Sequence, residues 1–491
     1  MPADISPPMT KGKTPIVIRV LVLATFVVIL NETIMINAIP ALMDYFQVTE
    51  VAAQWVSTAF MLTMAAIIPT TGWFLQRVTT RQAYATAMGV FIAGTVICAL
   101  APTFAVLLIG RIIQAGGTAV MMPLLMTTLM TVVAERDRGR VMGNVTLAIS
   151  VAPAMGPVVS GLILQIEGPH AWRLLFVMML PITGLVTWLG LRQLDNVGEP
   201  QPSELDLPSV ALAGLGFGGL VFGLSKFHGD SYTVAALITA GGIALIAAFA
   251  LRQVWLQRNG TPLLDLRVLL QGTYTKALVL MSLAFLAMMG SMILLPLYLQ
   301  NLRGLSAFQT GLLVMPGGLA MGLLGPTVGK LFDKFGGRIL VISGSIGIAA
   351  SLAGFTQISM TMPYWQLLGL HIVLMVSLAA AFTPVFTLGL GALPMHLYSH
   401  GSSMLGTIQQ VAAAFGTALV VTVMSARSTS LIDEGTPVAV ATLDGMRLSF
   451  MIIAGLALIV IAMAVLLPNR AAVDPHAAPV DESDAPELVK H

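Results

Sequence analysis

The sequence predicts an all-α, polytopic membrane protein, and three observations carry that prediction. Only 9% of the 491 residues are charged while 57% are hydrophobic, against about 25% charged in soluble domains. Mean hydropathy is +0.90. Apolar runs long enough to cross a hydrocarbon core of about 30 Å, at about 1.5 Å per helical residue, recur from residue 16 to residue 467.

Windows bounded by charges, Gly or Pro give fourteen spans, at 16–40, 52–75, 82–101, 104–132, 141–165, 173–192, 208–226, 234–254, 275–299, 307–331, 339–360, 364–391, 402–426 and 445–467. The first run is too long for a signal h-region and other spans follow it, so it reads as a retained helix. An even count puts both termini on one side. With Arg111 left inside a span, eighteen basic residues fall on that side and five on the other, which makes the termini cytoplasmic. Arg77, Arg81, Arg136, Arg138, Arg140, Lys330, Lys334 and Arg338 belong to the crowded side, and Arg173, Lys226, Arg303, Arg427 and Arg447 form the sparse one.

One internal repeat organises the chain. Gly72-Trp-Phe-Leu-Gln-Arg-Val-Thr-Thr-Arg81 follows the second span, and Gly329-Lys-Leu-Phe-Asp-Lys-Phe-Gly-Gly-Arg338 follows the tenth, 257 residues later. The domain expectation is a cytoplasmic tail at 1–15, a six-helix half at 16–194, a linker with two extra helices at 195–270, a second six-helix half at 271–467 and a disordered cytoplasmic tail at 468–491, rich in Ala, Pro and Asp. Parallel halves place a substrate site near the bilayer midplane at their interface, exposed to each side in turn by rocking.

Composition also excludes functions. No Gly-x-x-x-x-Gly-Lys-[Ser/Thr] loop occurs, so no ATP chemistry is expected. No nucleophile–base constellation stands out, so the chain reads as no enzyme and needs no cofactor. The lone Cys98 rules out a disulfide framework. The net charge of +2 resides in short loops and gives no reason to expect nucleic acid. No resident metal is expected, since His396 and His400 lack further ligands. The remaining partners are membrane lipid, protons and a small amphipathic molecule, handled by a monomer.

Glu32 is the acid on which this reading turns. It lies about 22 Å into the first span, where a carboxylate costs a few kcal/mol unless it faces water or holds a proton. Either state suits a proton carrier; a structural acid satisfied by neighbouring helices is the competing reading. Arg111 lies about 10 Å into the fourth span from its other end, at a similar level. The two side chains either tune one another as the halves rock or form a static pair. His371, also about 10 Å into its span, the twelfth, is a titratable cavity candidate or a plain buried histidine. Asn31, Asn37, Gln114, Asn144, Gln409 and Gln410 are neutral candidates for the same cavity, or interhelix glue. Thirty methionines suit a pliable, loosely selective pocket.

These residues resemble the major facilitator superfamily, in particular its fourteen-helix EmrB/QacA drug:proton antiporter branch and the lincomycin-resistance LmrB-like proteins, over residues 16–467. Leu30-Asn-Glu-Thr-Ile-Met-Ile-Asn-Ala-Ile-Pro40 fits the pattern Leu-Asp-x-Thr-x-x-x-x-Ala-Leu-Pro, with Asn31 in the Asp place and the acid one residue on. The loop motif Gly-x-Leu-x-Asp-x-x-Gly-x-[Lys/Arg] is matched by Gly329, Leu331, Asp333, Gly336 and Arg338. The first copy keeps Gly72, Arg77 and Arg81 but has Gln76 and Thr79. Arg111-Ile-Ile-Gln-Ala-Gly-Gly resembles the fourth-helix motif. Gly156, Pro157 and Gly161 match the fifth-helix pattern that goes with antiporters. Trp172, Arg173 and Phe176 resemble the sixth-helix entry, an interfacial anchor.

The resemblance implies a bacterial, multi-pass plasma (inner) membrane protein of the superfamily fold, exporting hydrophobic or amphipathic drugs against protons by alternating access. Export of an endogenous metabolite such as an amino acid or siderophore, or proton-linked import, are the alternatives. It further implies that Glu32 and Arg111 couple protons and that Arg77, Arg81, Asp333, Gly336, Arg338, Gly156, Pro157 and Gly161 govern the conformational change. Asp333 is expected to favour the N-terminus of the eleventh span, which follows it.

Overall fold

The computed structural model describes residues 15–164, 166, 171–197, 205–226, 232–259 and 262–470. Among them the regular structure is all helical, and fourteen helices are long and apolar enough to cross a membrane. In chain order they are α1 (Ile16–Ile34), α2 (Ile39–Phe46, too short to span), α3 (Glu50–Arg77), α4 (Thr80–Leu100), α5 (Phe104–Val132), α6 (Arg138–Ile163), α7 (Ala171–Gln193), α8 (Leu207–Ser225), α9 (Tyr232–Asn259), α10 (Gly272–Leu297), α11 (Ala307–Phe335), α12 (Arg338–Phe355), α13 (Tyr364–Gly391), α14 (Tyr398–Asp433) and α15 (Val438–Val465).

Several expected spans need correction: the fourteenth starts at Val438 rather than 445, the eleventh ends at Phe355 rather than 360, and two others differ for reasons that can be named. The first does not run unbroken to residue 40: α1 ends at Ile34, a 3-10 turn covers Met35–Ala38, and α2 begins at Ile39. Pro40 has no N–H to give and fits a first helical turn, so the chain restarts there rather than continuing. Gln47, at φ 52°, then ends α2. The thirteenth span, expected at 402–426, is the 36-residue α14. Apolarity marks what lies in lipid, but no Gly or Pro interrupts the polar run after Ser425, and the helix continues until Gly435 at φ 90°. Trp172, expected at an interface, is 1% exposed and packs on Tyr45 and Phe46, while Arg173 donates to the Ala101 carbonyl at 2.7 Å.

The helix ends explain the two unlike copies of the repeated loop. Thr79 N-caps α4 in a capping box with Gln82, a role a glycine cannot fill. Gly336, 257 positions on, takes φ 84°, which favours glycine, and turns the chain into α12. Both turns are held from behind. Asn196, beyond α7, accepts from the Arg81 N–H at 3.3 Å, and Asn469, beyond α15, accepts from the Arg338 N–H at 3.3 Å. Asn469, within the tail expected at 468–491, thus bonds to the turn before α12; residues 471–491 lie outside the described residues.

The repeat extends into the helices. A 3-10 turn at Glu135–Asp137 precedes α6, and its counterpart at Met395–Leu397 precedes α14, 260 residues on. α6 packs on α11 and α13, and α14 packs on α3 and α5, so the halves meet through α3, α5 and α6 on one side and α11, α13 and α14 on the other. Glycines set the approach: a Cβ on Gly143 would lie 2.7 Å from the Gly325 carbonyl carbon. α8 and α9 pair with each other, and α8 lies against both α3 and α14.

Candidate functional site

Four helices build a buried polar cluster around Arg111. α4 and α5 come close because Gly94 and Gly110 face each other's helices; a Cβ on Gly94 would stand 2.7 Å from Gln114 Cα. That approach sets Thr95 beside Gln114, whose amide donates to the Thr95 hydroxyl at 2.8 Å. Arg111 donates from Nη1 to Gln114 Oε1 at 2.5 Å and to Asn31 Oδ1 at 3.2 Å, and from Nε to the Val56 carbonyl at 3.3 Å. Its guanidinium lies 4.1 Å from the centre of the Phe60 ring. A buried cation would cost several kcal/mol without such partners. Three hydrogen bonds and a ring face hold this one.

Glu32 is a neighbour of this cluster and not a member. One residue further along α1 turns its side chain by about 100° from Asn31. It is half-buried and makes no hydrogen bond or ion pair among the described residues, although the Arg111 charge acts on it through space. Asn31 and Gln114, expected to line the substrate cavity, are instead buried partners of Arg111. Phe60 and Thr95 were missed, since neither a ring under a cation nor a mid-span threonine carries a sequence signal.

The other cavity candidates are scattered. Asn144 is half-buried on α6. Gln409 and Gln410 are half-buried on α14 and reach only sulfur, Met281 Sδ at 3.6 Å and Met64 Sδ at 3.8 Å. His371 is buried on α13 against Gly317 of α11. The side chains of Asn37 and Pro157 lie outside the described residues. Gly156 meets Thr33 of α1, whose Cβ would be 2.7 Å from an added Cβ, but Gly161 has nothing within 4 Å. Close approach along α6 thus belongs to Gly139, Gly143 and Gly156, not Gly161.

At the loop end, Asp333 corrects an expectation. Its carboxylate does not address α12; it accepts from the Gly139 N–H at 2.9 Å and the Arg140 N–H at 2.8 Å, at the N-terminus of α6 in the other half. Those N–H groups have no partner within their own helix, so a carboxylate there is favoured by hydrogen bond and helix dipole together. The first-half counterpart, Gln76, donates to the His396 carbonyl at 3.1 Å, a neutral and weaker contact. Beside it Thr71 and Ser403 share a short hydrogen bond, and Arg138 donates to the Tyr398 hydroxyl at 3.2 Å. Arg77 lies 5.7 Å from the Trp73 ring centre. The side chains of Arg81 and Arg338 are exposed, and their backbone N–H groups make the clamps already described.

Comparison with known proteins agrees with this architecture. The family model of the Major Facilitator Superfamily matches residues 21–417. The MFS-type transporter YcnB of Bacillus subtilis is 39% identical over 447 residues, 90% of this chain and 93% of that one. The lincomycin resistance protein LmrB of Listeria monocytogenes is 38% identical over 413 residues, 84% of this chain and 86% of that one. Among solved structures, the proton:xylose symporter XylE superposes with a TM-score of 0.63 at 15% identity, covering 91% of this chain and 94% of that one. With fourteen apolar spans in two joined halves and these relatives, the chain belongs to the major facilitator superfamily and is a multi-pass membrane transporter, not an enzyme.

Proposed function

We propose that this transporter exports hydrophobic or amphipathic drugs in exchange for protons, by alternating access. Glu32 carries the reading: a carboxylate in the last turn of α1, without a hydrogen-bond or ion-pair partner among the described residues, beside a cation that is bonded to Asn31 and Gln114. Such an acid is free to take a proton from water in an outward cavity and to release it once the cavity faces inward. Arg111, fixed on α5, tunes that exchange as α1 and α5 shift.

In this reading both termini and the Gly72–Arg81 and Gly329–Arg338 turns face the cytoplasm, and the protein works as a monomer in the plasma membrane. The contacts of Asp333 with α6 and of Gln76 with the start of α14 close that face, so the conformation is outward-facing. Breaking them lets the halves rock. The amides of Asn144, Gln409 and Gln410, among pliable methionines, offer a ligand hydrogen bonds without demanding one shape.

The test is a pH jump on proteoliposomes, with ethidium as one probe and lincomycin, suggested by the names of several relatives, as the other. The wild type is expected to move substrate uphill against the proton gradient and Glu32→Gln to lose this. Uphill transport at wild-type speed by Glu32→Gln would overturn the proposal.

A further inference from the structure

The repeat brings a second titratable group to the position of Arg111. Counting 260 residues, the spacing that relates the turns before α6 and α14, leads from Arg111 to His371. Counting 257, the spacing of the repeated loops, leads from Phe60 to Gly317. In the first half the Arg111 guanidinium rests on the Phe60 ring. In the second half the ring has been traded for a glycine, and the His371 imidazole fills the space: a Cβ on Gly317 would meet its Nε2 at 2.7 Å.

The imidazole is only 2% exposed, and among the described residues neither nitrogen has a hydrogen bond of ordinary geometry; the one polar group that acts on the ring is the Val314 backbone of α11. A buried imidazole has one N–H and one lone pair to satisfy, or two N–H groups once protonated. Leaving them empty is costly, so such an arrangement serves one stage of a cycle better than a fixed scaffold. α13 packs on α6, α10, α11, α12 and α14, and no carboxylate, histidine or basic side chain of these helices acts on the ring. Nothing here compensates a positive charge. A proton on His371 therefore requires water, and water requires α11 to move. α11 has a place to bend there: Pro316, just before Gly317, withholds one helix hydrogen bond.

We propose that His371 is a second proton-carrying site, uncovered when α11 bends away at Pro316–Gly317 and covered again when it returns. The imidazole takes a proton from cavity water through one ring nitrogen and returns it to water on the other side. The inference rests on proton-coupled export and adds to it a stoichiometry: one proton on Glu32 and one on His371 per substrate.

The experiment measures the limiting ethidium gradient sustained by the full-length protein in proteoliposomes, with the membrane potential clamped at zero. Two protons per ethidium allow a gradient of about 100-fold per pH unit, and one proton about 10-fold. The wild type is expected near the first limit and His371→Gln near the second, with its exchange no longer driven by an imposed potential. His371→Asn, which leaves more room beside Gly317, is read in the same way, and ethidium counterflow without a gradient identifies variants that still rock. A one-proton limit in the wild type, or a two-proton limit retained by either rocking variant, overturns the inference. Absence of any proton-driven gradient in the wild type instead overturns the export reading itself.

Discussion

Arg111 donates to the Oδ1 of Asn31 at 3.2 Å and makes no ion pair with Glu32, the next residue along α1. The amide thus occupies the contact position, and the acid has no hydrogen-bond or ion-pair partner among the described residues. Replacing Asn31 by Leu removes an acceptor from a buried cation, at a cost of about 1.5–3 kcal/mol. Thermal unfolding in detergent is expected to register that loss. Glu32→Gln combined with Asn31→Asp moves the acid into contact with Arg111. This double variant is expected to export ethidium more slowly than the wild type but measurably faster than Glu32→Gln alone. Equal background rates in both would remove position 31 from the proton route.

Asp333 joins the halves through two backbone N–H groups at the start of α6. Asp333→Ala leaves those groups without a carboxylate, which costs about 1–2 kcal/mol of the closed state and shifts the population about 5- to 30-fold towards opening at that face. Distance distributions between spin labels near the facing ends of α6 and α11 are the measurement. Gln76→Ala removes only a neutral bond and is expected to shift them less.

Gly143 and Gly325 let α6 and α11 meet backbone to backbone; a Cβ on Gly143 would lie 2.8 Å from Pro326 Cα. Gly143→Val is expected to wedge the halves apart at a cost of about 1–3 kcal/mol and to slow transport. The same change at Gly161, which has nothing within 4 Å, is expected to leave both stability and transport near wild type. Unfolding temperatures and ethidium efflux of the two variants separate close packing from sequence pattern.

Most of the fold was legible because lipid imposes one rule on every span, and length with apolarity reports it directly. Asp333 was legible as a carboxylate of the repeated loop, but its partner was not. The residues that follow it in sequence suggested α12, whereas the contact is made across the halves to Gly139 and Arg140. Arg111 was legible as a buried cation, yet Phe60 and Thr95 come from other helices at separations no local pattern encodes. The break after Ile34 was hidden for another reason: hydropathy stays high through Pro40, so composition does not register a change of backbone direction.

The hairpin of α8 and α9 is pinned by an ion pair with a readable pH signature. Arg252 donates to Asp206 twice at 2.7 Å, and these bonds, assisted by Ser209 and opposed by burial, hold the Asp206 carboxyl down at about 2. A carboxyl depressed on folding adds stability that is complete above its unfolded value of about 4 and is lost as pH falls towards the folded value. The unfolding-temperature difference between wild type and Asp206→Asn is therefore expected to stay constant from about pH 8 to about pH 5 and to shrink only below about pH 4. A difference that changes near neutral pH would mean that another group controls the hairpin.

The end of the described chain gives the sharpest comparison. Asn469 accepts from the Gly337 N–H through its carbonyl at 2.7 Å and from the Arg338 N–H through Oδ1 at 3.3 Å, and its amide donates to the Phe335 carbonyl at 3.3 Å. One residue thereby holds the turn next to Asp333, as Asn196 holds the corresponding turn before α4. Truncation after Arg470 keeps all three bonds and is expected to leave ethidium efflux at the wild-type rate. Truncation after Leu467 removes them, loosens the turn that aims Asp333 at α6, and is expected to reproduce the opened spin-label distances of Asp333→Ala. Asn469→Ala, which keeps the backbone acceptor and loses both side-chain bonds, should fall between the two. Should truncation after Leu467 leave those distances unchanged, the latch depends on α11 alone and the clamp behind it is dispensable.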